Sequence, residues 1–122
     1  MPRFGPHFLI GMATGAAVNT VCQWNGRRDD PQSDFSCGSL FACSIAGGLA
    51  ACLPDLLEPA DTPNHRLFFH SVTAAALVAY GISGRHTHRF GPVEKMVLWV
   101  VGLGYLSHLV ADSTTPKSVP WI

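Results

Sequence analysis

The chain of 122 residues predicts an all-α fold, a four-helix up-down membrane bundle with short loops. Three observations predict it. Charged residues are 13% of the chain, about half of the roughly 25% usual for soluble domains. The eight basic and eight acidic residues avoid four segments altogether: Phe8–Gln23, Ser36–Pro54, Leu67–Ser83 and Met96–Ala111. Each segment has 16 to 19 residues, close to the roughly 17–25 that cross about 30 Å of hydrocarbon, and none shows the charged stripe of a soluble amphipathic helix. The expected apolar helices are 8–23, 36–54, 67–83 and 96–112, within a single helical membrane domain over 1–122. A soluble reading needs four short helices buried on all sides, for which so short a chain has too little interior. The mean hydropathy of +0.23 is modest because the loops are a large share of the chain.

The first segment follows Arg3 and contains Gly11 and Gly15, four apart, a spacing that lets helix backbones approach closely in lipid. A cleaved signal peptide is the other reading of 8–18, but Pro2, Pro6 and His7 fit it poorly. The loop 24–35 holds the turn-rich NGRRDDPQSD. The second segment repeats the small spacing at Ala42, Ala46 and Ala50, and Gly47–Gly48 within it reads as a packing feature. Loop 55–66, with Pro59 and Pro63, precedes the third segment, where Ala75 and Ala79 are again four apart. Loop 84–95 carries His86 and His88, read as solvated, and the fourth segment ends before a tail with Pro116 and Pro120. Cys22, Cys37, Cys43 and Cys52 form no CxxC pair and read as small buried thiols. Arg27, Arg28, Arg85, Arg89 and Lys95 stand on one side of the bundle against Arg3, Arg66 and Lys117 on the other, which favours the first and third loops in the cytoplasm. Zero net charge and a pI near 7.0 give no signal for nucleic-acid binding.

Alternating helices bring certain ionisable residues to one end. His7 opens the first helix, Asp55 closes the second, His65 and His70 open the third, and His108 and Asp112 close the fourth. The starts of helices one and three share a side with the ends of two and four. His108 and Asp112 are spaced i, i+4, one turn apart on one helix face. Ionisable groups at membrane depth are costly and mark function. Imidazole and carboxylate together suit zinc, with manganese or ferrous iron as alternatives, and such an ion acidifies a bound water. The candidate metal ligands are therefore His7, Asp55, His65, His70, His108 and Asp112. Asp55 doubles as a candidate general base, and Arg66 as a binder of an anionic substrate group. A GxSxG elbow and a P-loop are both absent from the sequence.

The blocks PHFLIG, LPDLLEP, HRLFFHS and GYLSHLVADSTTPKSVPWI, in this order along nearly the whole chain, resemble the YdjM-like family of membrane-bound, metal-dependent hydrolases. The resemblance implies an all-helical, multi-pass inner-membrane protein whose motif residues bind a divalent metal. It matches His7, Asp55, His65, Arg66, His70, Ser71, His108 and Asp112. By analogy with zinc-dependent phospholipase C and single-strand nuclease folds, it implies a small-molecule or lipid phosphoester substrate. Where the family pattern has PD-x-D this chain has Leu57, with Glu58 next, and Leu67 and Phe69 replace a Gly and a Thr. The expected function is a membrane-bound metal-dependent hydrolase. The alternatives are a non-catalytic membrane protein with a structural or metal-handling His/Asp site, and a small membrane protein whose histidines make only helix–helix contacts.

Overall fold

The structure is a computed structural model that describes residues 4–57, 69 and 71–114. Its elements are α1 (Phe4–Asp29), α2 (Cys37–Leu57), α3 (Val72–Gly81), a single turn α4 (Gly84–Thr87) and α5 (Pro92–Ser113). No strand occurs among the described residues. The all-α class is therefore as expected, and the contacts between helices give their directions.

Helices α1 and α2 are antiparallel and almost touch along their backbones. A side chain at Gly11 would strike the Gly47 carbonyl and come within 2.5 Å of the Ala51 Cβ, and one at Gly15 would strike the Cys43 carbonyl. Ser44 adds a hydrogen bond across the seam, its Oγ donating to the Met12 carbonyl at 3.1 Å. This is the close approach that small residues four apart permit, and Gly47 is part of it, as its place in the second segment suggested. Helix α5 lies on both: a Cβ at Gly104 would be 2.8 Å from the Gly47 oxygen and 3.1 Å from the Ala50 Cβ. It runs parallel to α2 and antiparallel to α1. Val18, Cys43 and Val100 fill the space where the three meet.

Helix α3 docks on α5 in the antiparallel sense. The Trp99 Nε1 donates to the Ile82 carbonyl at 3.2 Å, and the missing side chain of Gly102 leaves room for that of Ile82. Helices α1 and α3 thus run one way and α2 and α5 the other.

Local chemistry explains the helix ends. Ser36 Oγ accepts from the Ser39 amide at 3.1 Å at the start of α2, and Ser71 Oγ accepts from the Ala74 amide at 3.1 Å at the start of α3. Pro92 opens α5, where its missing N–H is no loss, and Glu94 accepts from the Gly91 amide at 3.0 Å. Arg27 and Arg28 occupy the last turn of α1, where positive charge suits the helix dipole.

Two expectations need correction. The third helix was expected over 67–83, but α3 has 10 residues and begins only after its Ser71 cap. At 1.5 Å per residue it is about 15 Å long, half of a bilayer core. The first helix was expected over 8–23, a segment free of charged residues. Helix α1 has 26 residues and is long enough, but it carries Asn19, Gln23 and a charged last turn. Among the described residues, helices α2 and α5 are the two that are both long and apolar enough to cross a membrane. Large apolar side chains on their outer faces, among them Phe41, Leu49, Val97, Val101 and Val110, are exposed, as lipid-facing residues are.

Candidate metal centre

The end of the bundle formed by the start of α1 and the ends of α2 and α5 gathers the ionisable residues. His7 is the fourth residue of α1. Asp55 follows Pro54 in the last turn of α2, where the proline withdraws one backbone donor. His108 and Asp112 lie one turn apart near the end of α5. His108 is fully buried, Asp112 is 2% exposed and Asp55 6% exposed.

The distances are those of a donor cluster. His7 Nε2 lies 3.4 Å from Asp112 Oδ1. His108 Nε2 lies 3.3 Å from Asp112 Oδ2 and 3.6 Å from Asp55 Oδ1. The two imidazole rings are 4.0 Å apart between centroids and tilted by 34°. One ligand atom from each of His7, His108 and Asp112 falls within 4.8 Å of the others. Two ligands about 2.0–2.1 Å from a tetrahedral ion stand about 3.3–3.4 Å apart, so the spacing and the donor types fit a zinc-sized ion.

Of the six expected ligands, the structure brings His7, Asp55, His108 and Asp112 together. His65 and His70 lie outside the described residues, as does Arg66. Ser71, adjacent to His70, is fully buried as the cap of α3. His88 stands apart at the C-cap of α4, its Nδ1 2.7 Å from the Arg85 carbonyl oxygen.

Two polar features escaped the sequence reading. Tyr105, one turn before His108, is buried and donates from its hydroxyl to the Phe69 carbonyl. Asn19 is fully buried near the other end of the bundle. Its Nδ2 lies 2.7 Å from Ser39 Oγ, 3.4 Å from Cys43 Sγ and 3.3 Å from Met96 Sδ, and its Oδ1 accepts from Gln23 at 2.6 Å. An Asn in the middle of a charge-free apolar segment was the signal that could have found it. The four cysteines are all free, and Cys37 is exposed rather than buried.

No curated protein and no solved structure matches the chain. A family model, described as YdjM inner membrane protein, does over residues 1–122, and that description agrees with the two apolar helices. The chain belongs to the YdjM inner membrane protein family.

Proposed function

We propose that this protein is a multi-pass membrane hydrolase that holds a divalent metal, zinc in the first place, between α1, α2 and α5 and acts on a phosphoester substrate, with a lipid phosphoester as the substrate nearest to hand. The observation that carries the reading is the gathering, from three helices, of the half-buried His7 imidazole, the fully buried His108 imidazole and the buried Asp112 and Asp55 carboxylates, with His7, His108 and Asp112 within ligand distance of one another and Asp55 beside His108. Burying that many ionisable groups without a function is costly, most of all at membrane depth.

In this reading His7, His108 and Asp112 hold the ion, with His65 and His70 as further ligands. A divalent ion there supplies a Lewis acid and an acidified water. Asp55, whose Oδ1 lies 3.6 Å from the same His108 Nε2, stands beside the ion's place and is the carboxylate available to take a proton. Arg66 binds the anionic group of the substrate through its planar fork.

The test is metal content of the detergent-purified protein by mass spectrometry, followed by hydrolysis of phosphodiester and phospholipid substrates with metal-free controls. The expected result is a stoichiometric divalent ion that is lost in H108A and D112A, and activity lost with it. Metal retained in both variants refutes the site. Metal binding without turnover of any phosphoester favours the structural or metal-handling alternative.

A further inference from the structure

We propose that the end of α1 opposite the ionisable rim holds the phosphate of an anionic phospholipid, gripped by Arg27 and Arg28 beside the ring of Trp24. The proposal rests on α2 crossing the membrane and not on the reading of the rim as a metal site. Trp24, Arg27 and Arg28 are spaced i, i+3 and i+4, so they share one face of α1. All three are exposed, Trp24 to 67%. Among the described residues they line a hollow of about 270 Å³. That is just under the roughly 300–1,000 Å³ of pockets that enclose a drug-sized ligand, so it suits a headgroup rather than a whole lipid. Among the described residues neither guanidinium is engaged in an ion pair. Asp29 is turned about 100° from Arg28 around the helix. The Oδ1 of Asp30 accepts from the Gln32 amide at 3.2 Å. Two guanidiniums in this state offer planar donor forks that match phosphate oxygens.

The depth of the hollow selects a lipid. Gln23 meets Ser36 at the foot of α2: its Oε1 accepts from the Ser36 amide at 2.6 Å and its Nε2 donates to the Ser36 carbonyl at 3.0 Å. Ser36 precedes Cys37, the first residue of a 21-residue helix long and apolar enough to cross a membrane. Gln23 is therefore level with the edge of the hydrocarbon. Trp24, Arg27 and Arg28 follow it by one to five residues, about 1.5–7.5 Å farther along the axis. The polar zone outside the hydrocarbon is about 5–7.5 Å deep on each side, so the hollow lies among the headgroups, where tryptophan is favoured and basic groups meet anionic lipids. The same face of α1 continues into the hydrocarbon through Val21, Thr20, Ala17 and Ala13, all exposed and uncharged. The Thr20 hydroxyl donates to the Ala16 carbonyl at 2.8 Å, which leaves an acyl chain a strip of small side chains to lie on. Twenty residues, about 30 Å of helix, separate His7 from Arg27, so the two sites stand at opposite surfaces of the membrane and this lipid is not the substrate of the rim.

The experiment titrates the full chain, purified in an uncharged detergent, with phosphatidylglycerol and with phosphatidylcholine of the same acyl chains, and reads the affinity for each. Wild type is expected to favour phosphatidylglycerol by about 25–30-fold, about 5-fold for each arginine. R27Q/R28Q changes only exposed side chains and is expected to bring that preference to within about 2-fold of none. R85Q/R89Q removes equal charge from the third loop, at the same end of the bundle, and is expected to keep the preference within about 2-fold of wild type. An excess of inorganic phosphate is expected to leave the bound lipid in place, because it has no chain to lie along α1. Four results overturn the proposal: no preference in wild type, a preference unchanged in R27Q/R28Q, a fall in R85Q/R89Q as large as in R27Q/R28Q, or displacement of the lipid by inorganic phosphate. None of them bears on the metal reading, which the zinc content of the same preparation tests separately.

Discussion

The two ends of the bundle bury polar side chains from the same three helices but use different chemistry. Toward one end Asn19 of α1 meets Ser39 and Cys43 of α2 and Met96 of α5, and Gln23 extends the group by donating to the Ser36 carbonyl at 3.0 Å and accepting from its amide at 2.6 Å. All of these groups are neutral amides, hydroxyls, a thiol and a thioether, and their hydrogen bonds run among themselves. At the other end His7 of α1, Asp55 of α2, and His108 and Asp112 of α5 are all ionisable. A neutral hydrogen bond between helices in lipid contributes about 0.6 kcal/mol and selects which faces meet. A buried charge costs several kcal/mol and persists where it is used. The difference separates a polar group that specifies packing from one that, in the proposed function, carries chemistry. Twelve residues on α1, about 18 Å of helix, divide His7 from Asn19, so the two ends can be perturbed separately.

The largest effect is expected at the ionisable end. Asp112→Asn preserves volume but removes the charge that faces both His7 and His108. Zinc affinity is expected to fall by about 100-fold or more, since even groups that only orient a ligand are worth about 10–100-fold. Undiminished zinc in the purified variant, measured by mass spectrometry, would break the assignment of chemistry to this end. The seam between α1 and α2 comes next. Gly15→Ala places a Cβ against the Cys43 carbonyl, and the two backbones must part. A loss of about 1–3 kcal/mol is expected, read as a lower midpoint of denaturation in mixed detergent. A third, smaller effect belongs to the neutral end. Asn19→Leu removes the amide that touches α2 and α5 and is expected to lower stability by about 0.6–1.7 kcal/mol while zinc affinity stays within about 2-fold. Loss of zinc from that variant would show that the ends are not independent. The smallest effect is at Gly26, beside which a Cβ meets nothing within 4 Å. Gly26→Ala is expected to be neutral or to stabilise by about 0.5–1 kcal/mol through helix propensity, and a loss comparable to that of Gly15→Ala would undo the seam argument.

Much of the site was legible because it needed only alternation. Once four charge-free segments are taken as helices of alternating direction, His7, Asp55, His108 and Asp112 must share an end. Charge patterning located the apolar stretches but not the helix ends. Helix α1 runs on to Asp29 through residues that the pattern assigned to a loop, because Arg27 and Arg28 suit a helix C-terminus. The third helix was placed too early because Leu67, Phe68 and Phe69 continue the apolar run, while the Ser71 cap that starts α3 is a local signal that hydropathy does not weigh.

Composition and charge placement determined that the chain is helical and membrane-directed, and chain order determined which ionisable residues share a rim. Both follow from one-dimensional pattern: a charge is excluded from hydrocarbon wherever the fold puts that segment. Only the tertiary structure decided which of the small residues form the seam, that Asn19 joins three helices, and that the Tyr105 hydroxyl meets the Phe69 carbonyl. Those depend on the rotation and separation of helices about their axes. Rotation and separation are set by mutual packing over all the contacting residues at once, which no single segment encodes.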